Sequence, residues 1–146
     1  LCPVDYVVAI PAAWTQRLGD GGWESVASLP WVMTPPISSH HALAQSLFGE
    51  RGRVPETIVE ADNESVVRSL VAAGVGAALM RSDLAAVAAR AGEIVVWPGA
   101  RLRTTLQFIH PRERADDPAI AALVELVEDT WTARDAVPAD DRAPAN

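Results

Sequence analysis

The chain contains no lysine: all twelve of its basic residues are arginines, scattered singly along 146 residues. With a formal net charge of −7, it offers no basic stripe that could displace counterions from a nucleic-acid backbone. If the protein acts on DNA, another part must touch it. There is a single cysteine, Cys2, so no disulfide framework can form, and a reducing, cytoplasmic compartment is expected. No apolar run approaches the length of a membrane span, and the opening LCPVDYVVAIPAAW lacks a basic leader region and meets Pro3 and Asp5 at once. The HExxH, CxxC and GxSxG patterns are missing, and with them the sequence signatures of zincins, zinc ribbons and nucleophile elbows. No cofactor motif is recognised.

What remains is a chain that is 49% hydrophobic and 21% charged, the balance of a water-soluble folded domain. Short β-branched runs alternate with helical patterns. Strands are expected at Tyr6–Ile10, Trp31–Met33, Thr57–Glu60, Val75–Met80, Ile94–Trp97 and Thr104–Ile109. The stretch from Pro11 to Gly22, with Gly19, Asp20, Gly21 and Gly22, reads as loop. A short helix fits Trp23–Leu29. Another begins near Ser39, its Leu43, Ala44, Leu47 and Phe48 at helical spacing, and stops at Gly49 and Gly52.

Asp62 or Asn63 caps the next helix, whose apolar face is Val66, Val67, Leu70 and Val71, and Gly74 closes it. Ser82 or Asp83 caps an alanine-rich helix running to about Ala91. A last helix starts at Pro118 behind Asp116 or Asp117, with Ile120, Leu123, Val124, Val127 and Trp131 on one face. Residues from 135 on are polar and rich in Pro and Ala, the composition of a disordered tail. Strand–helix alternation with short connections implies an α/β fold with a mainly parallel sheet, whose ligands sit beyond the strand ends.

TPPISSHHALAQ, residues 34 to 45, is the chemically richest stretch. Metal binding would have to draw on His40, His41, His110 and Cys2. Two consecutive helical residues point about 100° apart and chelate one ion badly. Ser38 or Ser39 beside His40, with Asp62 as a third member, could be imagined as a nucleophilic centre, but adjacency in sequence is not hydrogen-bond geometry. The glycines of AAGVGAAL close a helix and open a strand, the reverse of a dinucleotide loop. A gentler reading remains open beside plain helix capping. The helix start, with its free N–H groups, the Thr34, Ser38 and Ser39 hydroxyls and the two imidazoles, can grip a carboxylate or phosphate.

The run IVEADNESVVRSLVAAGVGAALMRSDLA, residues 58 to 85, resembles the effector-binding domain of LysR-type transcriptional regulators. VVAIP, WVMTP, IVVWP and LQFIHP, with the helix after 117, fit that family's order of segments over about residues 4 to 131. The resemblance implies a periplasmic-binding-protein-like (type 2) α/β fold, with residues 1–98 as the second subdomain and its crossing strands. Residues 99–134 would be a remnant of an incomplete first subdomain, and 135–146 the tail. It implies that the chain is a fragment of a longer regulator, a homo-oligomer (dimer or tetramer) that reaches DNA only through an N-terminal domain missing here. It further implies a small effector in an interdomain cleft, with Thr34, Pro36, Ser38, Ser39, His40, Asp62 and Asn63 in the wall; the helix-start grip makes an anionic one the expectation. A solute-binding protein of a transport system, or a small α/β enzyme using Ser39 and His40, are the alternatives.

Overall fold

The computed structural model describes residues 1–18 and 21–135. Five strands and six α-helices follow one another: β1 (Cys2–Pro11), α1 (Thr15–Leu18), α2 (Trp23–Ala27), β2 (Pro30–Met33), α3 (Ser39–Gly49), β3 (Glu56–Glu60), α4 (Glu64–Ala72), β4 (Ala78–Arg81), α5 (Ser82–Arg90), β5 (Ile94–Leu106) and α6 (Pro118–Asp135). The chain divides into two units, Val4–Arg103 and Leu1–Pro3 with Thr104 onward.

In the larger unit the strands alternate side chains to two faces, and each face has its own core. Val8, Ile10, Trp31, Met33, Ala77 and Leu79 point to one side, against Val26, Ala44, Leu47 and Phe48 from α2 and α3. Val7, Ala9, Val32, Ala78 and Met80 point to the other, against Val67 and Val71 of α4 and Ala85 and Ala88 of α5. Burial on both faces explains why VVAI and ALM are unbroken apolar runs rather than alternating ones. Trp31 and Phe48, each at most 1% exposed, meet edge to face at 4.8 Å between ring centres and anchor the first core.

The strand orders are β4-β1-β5 and β2-β3. The sheets join at Ala77, whose N–H donates to the Pro30 carbonyl and whose carbonyl accepts from the Val32 N–H, both at 2.8 Å. This seam needs Gly76: a Cβ there would lie 3.0 Å from the Pro30 oxygen and 3.1 Å from the Val32 nitrogen, both backbone atoms. β2 and β3 run parallel, as does the Trp31–Ala77 bridge. β1 runs antiparallel to β4, with Tyr6 opposite Arg81, so the arrangement is mixed.

Several expected boundaries are corrected. The stretch after Pro11 is not all loop: a 3-10 turn at Ala12–Trp14 leads into α1, and the Thr15 hydroxyl donates to the Ala12 carbonyl at 2.8 Å. Trp14 and Leu18 thereby pack onto the core. Gly19 and Asp20 lie outside the described residues. The strands expected at Ile94–Trp97 and Thr104–Ile109 are one strand, β5, ending at Leu106. Pro98 and Gly99 fail to break it because β5 is terminal in its sheet, where a missing donor is tolerated. The α5 N-cap is Arg81, with no side-chain cap, and Asp83 pairs with the Arg81 guanidinium instead.

The N-cap Asn63 accepts from the Ser65 and Val66 N–H groups, at 2.9 and 3.3 Å. Gly74 takes the left-handed conformation (φ 79°) just beyond α4. Asp117 accepts from the Ala119 N–H at 2.9 Å at the head of α6. On α6 the half-buried positions are Ile120, Val124, Val127 and Trp131, whereas Leu123 is 47% exposed and does not join them. Asp135 ends α6 rather than beginning a tail, and the rest of the expected tail, 136–146, lies outside the described residues.

Candidate functional site

A pocket of about 150 Å³ opens inside the larger unit, where the loop after β2, the starts of α3 and α4, and the end of β4 converge. Five of the seven residues expected in a binding wall line it: Thr34, Ser38, His40, Asp62 and Asn63. Pro36 and Ser39 do not; both are exposed, Ser39 having turned outward as the first residue of α3. Tyr6, Glu64 and Arg81 complete the polar lining, and Val67, Leu79, Met80 and Leu84 form an apolar floor. Sequence reasoning missed these seven. The signal for Arg81 was available, since β4 ends there as β2 ends before Thr34. Tyr6 enters only through its pairing with Arg81, which the sequence does not print.

Local structure builds the polar wall. The N-cap Ser38 accepts the His41 N–H at 3.0 Å and donates its own hydroxyl to Thr34 Oγ1 at 2.8 Å. Thr34 Oγ1 lies 3.1 Å from His40 Nδ1, and His40 Nε2 lies 3.0 Å from the Leu79 carbonyl oxygen. A carbonyl only accepts, so His40 carries its hydrogen on Nε2. His41 takes the opposite tautomer: its Nδ1–H donates to the Thr34 carbonyl at 2.6 Å, and its Nε2 accepts from the Gln45 amide at 3.2 Å. Of the pair, His40 turns into the pocket and stacks at a tilt on Tyr6, ring centres 5.1 Å apart.

All four imidazole nitrogens are committed to protein partners, which leaves none free for an ion. The Ser39–His40–Asp62 nucleophilic arrangement is also not the one present, because the ring of His40 is bonded to Thr34 and to a backbone carbonyl. Burial pushes the His40 ring below the ordinary histidine range; the Leu79 bond opposes this and the neighbouring His41 adds to it. Burial also raises the Tyr6 phenol, with Glu64 acting in the same sense. Arg81 is held charged by Asp83 at 2.6 Å, with Glu64 at 3.8 Å.

Two helix N-termini therefore meet at one pocket that has an apolar floor, a hydroxyl–imidazole chain and a mixture of carboxylates with one guanidinium. That assembly can hold a small polar molecule by its ends and its carbon skeleton by van der Waals contact.

The chain was compared with known proteins. No curated protein sequence matches it. Among solved structures it is similar to the regulatory domain of CcmR from Synechocystis PCC6803 in complex with 2-PG, with 13% identity and a TM-score of 0.55 over 65% of this chain and 46% of that one. It is similar to the effector-binding domain of QuiR in complex with shikimate, with 18% identity and a TM-score of 0.54 over 76% and 56%. It is also similar to full-length LysG from Corynebacterium glutamicum with bound effector Arg, with 15% identity and a TM-score of 0.58 over 79% and 41%. At such identities the likeness is one of fold, and the chain spans about half the length of these structures. The family described as the LysR substrate binding domain matches residues 1–132. This chain belongs to the LysR substrate-binding domain family, whose fold is periplasmic-binding-protein-like, type 2.

Proposed function

We propose that this chain is the ligand-sensing part of a LysR-type transcriptional regulator, and that it takes a small anionic effector in the pocket between the β2–α3 loop and the start of α4. The observation that carries the reading is the convergence of two capped helix N-termini on one concave site with an apolar floor. Each N-terminus adds a partial positive charge and backbone donors. Thr34, Ser38, His40, Asp62 and Asn63 are the contact residues carried over from the sequence reading. Asp62 and Glu64, also in the lining, can accept hydrogen bonds from a ligand. They favour an anion that also bears hydrogen-bond donors, a hydroxy acid or an amino acid. The ligands held by the CcmR, QuiR and LysG structures support a small-molecule effector in general.

In this reading the whole regulator is a cytoplasmic homo-oligomer that contacts DNA through a different domain. The effector acts by binding one conformation of the sensing domain more tightly than another, and shifts the equilibrium by no more than that difference. A thermal-shift screen of small hydroxy, amino and phosphorylated acids tests it. At least one compound raises the melting temperature of the wild-type chain. The same compound loses most of that effect on Asn63→Ala. A screen in which every hit stabilises the variant as well as the wild type counts against the site.

A further inference from the structure

The hydrogens of the Thr34–Ser38–His40 wall can be placed one by one. His40 Nε2 donates to the Leu79 carbonyl, so in the neutral ring Nδ1 must accept, and Thr34 is its donor. With its hydrogen so committed, Thr34 Oγ1 accepts from Ser38, and Ser38 Oγ accepts from the His41 N–H. Both hydroxyl hydrogens lie inside the chain of bonds. A ligand touching these two oxygens meets only lone pairs.

Protonation of His40 reverses the chain. With hydrogens on both ring nitrogens, Nδ1 donates to Thr34 Oγ1. Thr34 turns its own hydrogen to Ser38, whose other neighbour in the chain is the fixed His41 N–H donor. Ser38 is left to point its hydrogen out of the chain, into the pocket it lines. The wall gains one O–H donor and one positive charge.

The charges around the ring set the consequence. Tyr6 faces it from β1, His41 from α3, Asp62 and Glu64 from the head of α4, Arg81 from the end of β4, and Asp83 of α5 lies behind Arg81. With His40 neutral, two carboxylates against one guanidinium leave the lining side chains at minus one; a charged His40 brings them to zero.

We propose that anion binding in this pocket is proton-linked through His40: the neutral ring makes the hydroxyl pair an acceptor surface, and uptake of one proton converts it into an anion-holding donor. The proposal rests on the pocket being the effector site, and it adds that acid favours an anionic effector while alkali favours a ligand that only donates. Burial keeps the empty site neutral near pH 7, so the anion itself draws the proton in.

The test uses the 146-residue chain and inorganic sulfate, whose charge is constant between pH 5.5 and 7.5. The chain has three histidines, so their ring signals can be followed individually by NMR at fixed ionic strength. Without sulfate, ring nitrogen shifts show Nε2–H for His40 and Nδ1–H for His41. With sulfate the His40 midpoint rises. The dissociation constant falls severalfold from pH 7.5 to 5.5, about tenfold being the limit that a one-unit rise carries. His40→Gln binds weakly and without that pH dependence, while His110→Gln, which is not among the lining residues, keeps it.

Sulfate that binds the pocket equally at both pH values, or a His40→Gln variant that retains the pH dependence, overturns the proton linkage and leaves the pocket standing as a site. Absence of any pocket response to sulfate at pH 5.5 also overturns the linkage. The effector reading itself is tested separately, by the compound screen. If His40→Gln does not fold, the His40 midpoint of the wild-type chain, with and without sulfate, decides.

Discussion

Thr34 is the residue on which the binding wall turns. It is the only polar or charged residue among the buried ones described, 8% exposed, and it bonds to Ser38, His40 and His41 at once. Thr34→Val keeps the shape but removes the hydroxyl, leaving His40 Nδ1 without its donor and Ser38 without its acceptor. Urea denaturation should show a loss of about 1–3 kcal/mol, the cost of stranding a largely buried polar group. His40 adds a pH dependence of known sign. Its folded value is lowered below the ordinary 6.5, so the unfolded chain binds the proton first as pH falls. Its contribution is fully present above pH 6.5 and is lost from there down towards the folded value. Denaturation midpoints across that window should fall with pH in the wild type and fall less in His40→Gln. The histidine pair was visible in the sequence as unusual, but its direction was not. Which ring faces inward depends on the Leu79 carbonyl, 39 residues away, and no local pattern encodes that distance.

At the scale of elements, the helix starts were legible because capping is local chemistry. Asn63 and Asp117 cap where Asx residues precede apolar periodicity, and Gly74 closes α4 at positive φ. Asn63→Ala should cost about 1 kcal/mol in thermal or chemical unfolding, since it frees the Ser65 and Val66 N–H groups. The same substitution should weaken ligand binding, because Asn63 also lines the pocket. Two kinds of element were not legible. α1 has no acidic first turn, and it forms because Trp14 and Leu18 find the core. β5 runs through Pro98 and Gly99, residues that locally signal a break, because the ladder with β1 supplies the order that propensity denies. Asp5 on β1 adds to that pairing, holding Arg103 at 2.7 Å and Arg101 at 3.2 Å.

For the whole molecule, the two units carry different surfaces. The larger has a double core and exposes Ile37, Val54, Ile58, Val66 and Val87 along its length, whereas the other gathers Phe108 (42% exposed), Ile109 (81%), Leu123 (47%) and Leu126 (62%) in a much shorter stretch. Apolar side chains left open in this density promote association. Light scattering should therefore show dimers or larger species forming as concentration rises, and Ile109→Ser with Leu126→Ser should shift the distribution towards monomer. A monodisperse monomer at high concentration contradicts that expectation. Alternation of strand and helix was enough to read the α/β class from sequence. The antiparallel placing of β1 beside β4 was not readable, since both are apolar on two faces and look alike in either direction. The central claim is that the pocket built from Thr34, Ser38, His40 and the start of α4 receives the effector. The most direct measurement is a backbone NMR map of the chain with and without a compound that stabilises it. Shifts gathered at residues 34–41, 62–67 and 79–84 are the predicted result. Shifts confined to Phe108, Ile109 and the Val124–Glu128 turn of α6, with those three segments silent, would contradict it.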